Sequence, residues 1–78
     1  MLVPLYGFLE GDTLGLLVLA HDTMNMGKAA ELLVQAAKPR VTQTSEIRIV
    51  VNGLEINPSL TVAQAGLTAL ARFDVRRN

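Results

Sequence analysis

Asp22-Thr23-Met24-Asn25-Met26-Gly27-Lys28-Ala29-Ala30-Glu31-Leu32-Leu33-Val34-Gln35-Ala36-Ala37-Lys38 is the stretch on which the reading of this chain turns. Gly27, Ala30, Leu33, Val34 and Ala37 recur at three- and four-residue spacing, which places them on one face of a helix. Asn25, Lys28, Gln35 and Lys38 fall on the opposite face, with Glu31 at the border. Asp22 and Thr23 carry side-chain oxygens that can accept from the free N–H groups of a first turn, so the helix is expected to start there. Lys38 suits the last turn, where a cation faces the negative end of the helix dipole, and Pro39 forbids continuation.

Working outward, the residues before this helix read as a hairpin. Val3 to Leu9 forms a first strand, with Pro4 tolerable only at a strand start or edge. Glu10-Gly11 supplies a two-residue turn, and Asp12 to Ala20, the most apolar run of the chain, returns as a second strand. Beyond the helix, Arg40 to Glu46 is polar and loop-like. Ile47 to Val51 is a β-branched third strand closed by Asn52-Gly53, the strongest short hairpin signal, and Leu54 to Ile56 is the fourth. Thr61 to Ala65 suits a single helical turn, with Thr61 as its cap and Gly66 as its left-handed stop. Ala69 to Arg76 is the last strand, in which Phe73 and Val75 alternate with Arg72, Asp74 and Arg76. The order ββαββ-turn-β predicts an α+β domain, residues 1–78, with the helix on one face of a mixed sheet and the first and last strands adjacent in its middle.

Composition narrows the function. A chain of 78 residues is one small domain, and with only Tyr6, Phe8 and Phe73 aromatic, Leu, Val, Ile and Ala must build its core. The absence of cysteine excludes disulfides, thiol chemistry and Cys-based zinc sites. Seven acidic and seven basic residues cancel, which argues against a nucleic-acid or membrane-surface binder held by bulk charge. Met1 to Leu9 has no basic leader, and no apolar run reaches the roughly 18 residues that span a bilayer, so a cytoplasmic protein is expected.

Catalytic chemistry finds little material. His21 stands alone between a strand and a helix start, without the further His or clustered carboxylates that a metal needs. Glu10 and Asp12 flank a turn glycine and are explained by turn chemistry. Thr42, Thr44 and Ser45 have no base near them in sequence. No glycine-rich phosphate loop occurs. No catalytic, cofactor-binding or metal residue is therefore assigned. Arg48, Arg72, Arg76 and Arg77 read first as a solvated sheet face.

The second strand carries more apolar residues than one buried face can use. With a two-residue turn, Leu14, Leu16 and Val18 point at the helix, while Leu17 and Leu19 point away beside Tyr6 and Phe8. A bulge in the turn would exchange the two sets, but one apolar row faces outward either way. Such a patch marks a contact surface. The candidate interface is Tyr6, Phe8, Leu17 and Leu19 with Arg48 and Arg72 at its rim; a larger partner protein, a second copy of the chain, or cover by the C-terminal residues could occupy it.

Across almost its whole length the chain resembles the ubiquitin-like β-grasp fold, through the Glu10-Gly11 hairpin, the helix start at Asp22-Thr23, the Asn52-Gly53 hairpin and Leu60-Thr61-Val62. It ends Arg76-Arg77-Asn78 where ubiquitin and the sulfur carriers end in Gly-Gly, so conjugation or carrier chemistry is not expected. Within that fold it is similar to the small B (gamma) subunits of toluene-4-monooxygenase-type hydroxylases. The matching stretches are Pro4, Leu9-Glu10-Gly11-Asp12, Asp22-Thr23-Met24, Arg40-Val41, Ile47-Arg48, and Pro58 followed by Thr61-Val62-Ala63-Gln64-Ala65-Gly66-Leu67. The resemblance implies a non-catalytic subunit packed on a larger, carboxylate-bridged diiron hydroxylase subunit that holds the iron and the substrate. A stand-alone ubiquitin-like interaction module of another complex is the alternative.

Overall fold

A computed structural model describes residues 1–12, 14–37 and 47–77. Its elements follow the expected order: β1 (Leu2–Leu9), β2 (Gly15–His21), α1 (Met26–Ala37), β3 (Ile47–Val51), β4 (Leu54–Ile56) and β5 (Arg72–Arg77). They build a five-stranded sheet in the order β2-β1-β5-β3-β4. β1 and β5 run parallel at its centre, and the other neighbours are antiparallel. The mixed sheet, the one helix across it and the central pairing of first and last strands are as the sequence pattern requires.

Alternation sorts each strand between two faces. Val3, Leu5 and Leu9 of β1, Val18 and Ala20 of β2, Ile49 and Val51 of β3, and Phe73 and Val75 of β5 are buried toward the helix. The helix meets them with Met26, Ala29, Ala30, Leu33 and Ala37, and Val62 and Leu67 close one end of this core. No polar side chain is buried among the described residues, so no side-chain polar contact holds the core, which rests on apolar burial and the backbone ladder.

The structure revises the helix start. The cap is Asn25, not Asp22-Thr23: Lys28 N donates to Asn25 Oδ1 at 2.8 Å, and Ala29 N donates to Asn25 O at 3.2 Å. The two N–H groups before Lys28 find partners far along the chain, Met26 N on Leu60 O at 2.7 Å and Gly27 N on Pro58 O at 2.9 Å. With those donors satisfied, nothing in the first turn needs Asp22. Gly27 and Val34 of the expected face are only half-buried, while Met26 and Ala29, not anticipated, are fully covered.

The first hairpin also differs. Glu10-Gly11 does not close a two-residue turn, because the ladder ends at Phe8 opposite Gly15. Asp12 N donates to Leu9 O at 2.9 Å within the longer connection, and Gly11 holds φ 92° there. Leu14 lies outside the strand and is exposed rather than turned to the helix. Leu16 is half-buried against the core, Val18 is fully buried, and Leu17 and Leu19 face outward as expected. The register has moved by an even number of residues, which leaves the faces unchanged.

The second hairpin is the expected one. Val51 pairs with Leu54 across Asn52-Gly53, whose φ values of 53° and 80° are those of a type I′ turn. Thr61 N donates to Gln64 Oε1 at 2.9 Å and Gln64 N donates to Thr61 Oγ1 at 3.0 Å, a reciprocal cap. Gly66, at φ 78°, ends that turn on the left-handed side as expected. The last strand starts at Arg72 rather than Ala69, since Thr68 to Ala71 forms a further turn. The Arg40–Glu46 loop and Lys38 lie outside the described residues.

Candidate functional site

Cross-strand register decides which of the candidate residues meet. Tyr6 stands opposite Leu17 on β2 and beside Arg72 on β5. Pro4 stands opposite Leu19, and Leu2 opposite His21. These residues share the face of the sheet turned away from α1, and the large ones among them are bare: Tyr6 is 43% exposed, Leu17 54% and Leu19 58%. Leu2 is exposed as well, so the apolar row runs further toward the start of β1 than the candidate set.

Phe8 belongs to the same face but behaves differently. Its ring lies against Gly15, where an added Cβ would stand 2.6 Å from two ring carbons, so only a residue without a side chain admits the ring in this position. The Arg72 guanidinium lies over the same ring, 4.1 Å from its centroid. Arg72 in turn donates through Nε to Asp74 Oδ1 at 2.8 Å and through Nη2 to Asp74 Oδ2 at 3.3 Å. That two-pronged bond raises the already high pKa of the guanidinium. Phe8, Arg72 and Asp74 thus form a self-contained unit at one corner of the apolar row.

Arg48 sits apart. It lies on β3, beyond β5, opposite Arg76, and its Nη1 approaches Glu55 Oε1 at 3.9 Å. The outward face therefore divides into an aliphatic and aromatic half on β2 and β1 and a charged half on β5, β3 and β4. Of the sequence-predicted set, Tyr6, Leu17 and Leu19 come together, Phe8 and Arg72 close their corner, and Arg48 lies in the other half.

Among the described residues no three His, Cys, Asp or Glu side chains stand close enough to hold a metal ion. His21 is exposed at the end of β2, and Leu14 N donates to Asp12 Oδ1 at 3.3 Å within the hairpin connection. No helix among the described residues is long and apolar enough to cross a membrane. What this arrangement can do chemically is present a shaped apolar surface with a charged flank.

By its fold the chain is a ubiquitin-like β-grasp protein. Ubiquitin of Caldiarchaeum subterraneum superposes at TM-score 0.82 with 11% identity over 100% of this chain and 95% of that one. The ubiquitin-like domain of Plasmodium falciparum Dsk2 gives 0.80 with 10% identity and full coverage of both chains. A chain from a toluene 4-monooxygenase HD complex with the inhibitor 4-bromobenzoate gives 0.87 at 22% identity, again covering 100% of each. No curated protein matches the sequence. The family model for toluene-4-monooxygenase system protein B (TmoB) matches residues 2–76, and the chain belongs to that family. It is thus a small component of a multicomponent monooxygenase system.

Proposed function

We propose that the chain is the non-catalytic small subunit of a bacterial multicomponent diiron hydroxylase, docking on the larger subunit through the outward face of β1 and β2. The observation that carries this is the bare row of Tyr6, Leu17 and Leu19, a patch that the chain's own helix cannot reach because it covers the opposite face. Membership of the protein B family supports the identity of the partner. In this reading the iron ligands, the oxygen chemistry and the substrate pocket belong to the larger subunit. This chain takes no cofactor, works in the cytoplasm, and binds neither nucleic acid nor membrane. In isolation the same patch can bring two copies together.

The test is co-expression with the larger hydroxylase subunit of the same organism, followed by size exclusion and affinity measurement on the purified components. Leu17→Lys places a charge in the desolvated contact and is expected to weaken association tenfold or more, roughly 1.4 kcal/mol, without lowering the melting temperature of the isolated chain. Unchanged affinity would remove the β1–β2 face from the contact. Stoichiometric iron in the isolated, folded chain would overturn the non-catalytic role.

A further inference from the structure

Leu70 is poorly matched to the backbone it occupies. Ala71 N donates to Thr68 O at 3.0 Å, closing a turn in which Leu70 holds the third position with φ 66°. A positive φ at that position marks a type II turn and suits Gly or Asn; in a leucine the Cβ crowds the neighbouring carbonyl. The surrounding structure compels the conformation. Leu70 N donates to Pro4 O at 2.6 Å and Tyr6 N donates to Ala71 O at 2.9 Å, so the turn is what delivers β5 onto β1. The side chain recovers little inside the fold, for it is 57% exposed. A strained backbone and a bare leucine at one position are two costs with no return among the described residues.

Register supplies the return. The Leu70 N–H bond to Pro4 O brings the Leu70 backbone beside Pro4, and Pro4 stands opposite Leu19. Leu19 and Pro4 pair across the sheet next to Leu17 and Tyr6, and the exposed Leu70 sits at the margin of the sheet, its backbone beside Pro4. Arg72, two residues along the chain, is held by Asp74 and the Phe8 ring. We propose that Leu70 is an anchor of the docking surface, seated in an uncharged, aliphatic depression of the larger hydroxylase subunit. The left-handed turn would then be tolerated with leucine because it presents that side chain to the partner. This rests on the reading of the β1–β2 face given above and extends it to the loop before β5.

Leu70→Gly and Leu70→Asn test it, because relief of strain and loss of contact move opposite observables. Melting temperature is read on the isolated chain and dissociation constant against the purified larger subunit, beside wild type and Leu17→Lys. The expected result is a melting temperature raised by a few degrees in at least one of the two variants, with association weakened about tenfold or more in both. Normal affinity in either Leu70 variant overturns the anchor, and so does a melting temperature that neither variant raises, since Leu70 would then serve its own fold. If Leu17→Lys binds weakly while the Leu70 variants bind normally, the anchor alone falls. If all three bind normally, or wild type does not bind, the docking face falls with it.

Discussion

The β1–β2 hairpin has two apolar faces, and they differ in one respect only. On the inner face Val3, Leu5, Leu9, Val18 and Ala20 are covered by α1. On the outer face Tyr6, Leu17 and Leu19, from the same strands in the same ladder, are covered by nothing in the described chain. A two-layer domain needs one apolar sheet face, and alternation leaves the other free to be polar, as it is on β5 and β3, where Arg72, Asp74, Arg76 and Arg48 point outward. The second apolar face is therefore no by-product of folding. Full burial of an aliphatic side chain stabilises by about 1.5–3 kcal/mol, and for these half-exposed residues about half of that gain remains available to a partner.

The comparison breaks most sharply at Leu5. It is fully buried among β1, β2 and the helix, so Leu5→Ala should leave a cavity and cost about 2–5 kcal/mol. In a domain of this size that is a large share of the whole stability. Leu17→Ala, on the opposite face, should stay within about 0.5 kcal/mol in the isolated chain. Urea unfolding of both variants checks the pair. Equal losses would mean that the outer face is covered internally, and the case for a partner would lose its physical basis.

Gly66 gives a scale that belongs to neither face. It holds φ 78°, and a Cβ built there meets no atom within 4 Å, so any loss on substitution comes from the backbone alone. Gly66→Val should cost on the order of 1–2 kcal/mol. A cost well below that of Leu5→Ala and clearly above that of Leu17→Ala would rank packing, backbone strain and bare surface in that order. An unchanged unfolding midpoint would show that the Thr61–Ala65 turn does not force the left-handed conformation in solution.

How far the sequence revealed all this depends on whether each feature is local. Asn52-Gly53 was legible because two adjacent positive φ values are a property of those two residues. The helix was legible from its period, but its start was misplaced because the donors of Met26 and Gly27 are satisfied by Leu60 and Pro58, which no nearby residue signals. The face of Leu17 and Leu19 was assigned correctly through a turn that was drawn too short, since an even slip of register preserves parity while dropping Leu14 from the strand. Tyr6, Leu17 and Leu19 followed from alternation. The tying of Phe8 and Arg72 to Gly15 and Asp74 did not, because it depends on side chains crossing three strands. Leu70 was read as strand continuation, and only its φ reveals it as a turn residue.

The smallest expected effect lies at the edge of the outer face, where the chain start meets the β2–α1 connection. The Met1 ammonium donates to Asp22 Oδ1 at 2.8 Å, and Asp22 N donates to Met1 O at 3.0 Å. The hydrogen bond from the ammonium, with its charge and the backbone N–H groups of Thr23 and Asp22, holds the Asp22 carboxyl below its ordinary value against a weaker opposing effect of desolvation. A carboxylate whose pKa is lower folded than unfolded adds stability above the unfolded value, near pH 4, and loses it as pH falls through the folded value. The pair is exposed to solvent and screened, so its contribution is small. The wild type should therefore melt slightly above Asp22→Asn at neutral pH, and the two curves should converge on acidification below about pH 4. Added salt should narrow the gap at neutral pH as well. A gap that persists unchanged to low pH would trace the Asn effect to altered packing of β1 against the connection instead, and would place the beginning of the outer apolar row under tertiary rather than electrostatic control.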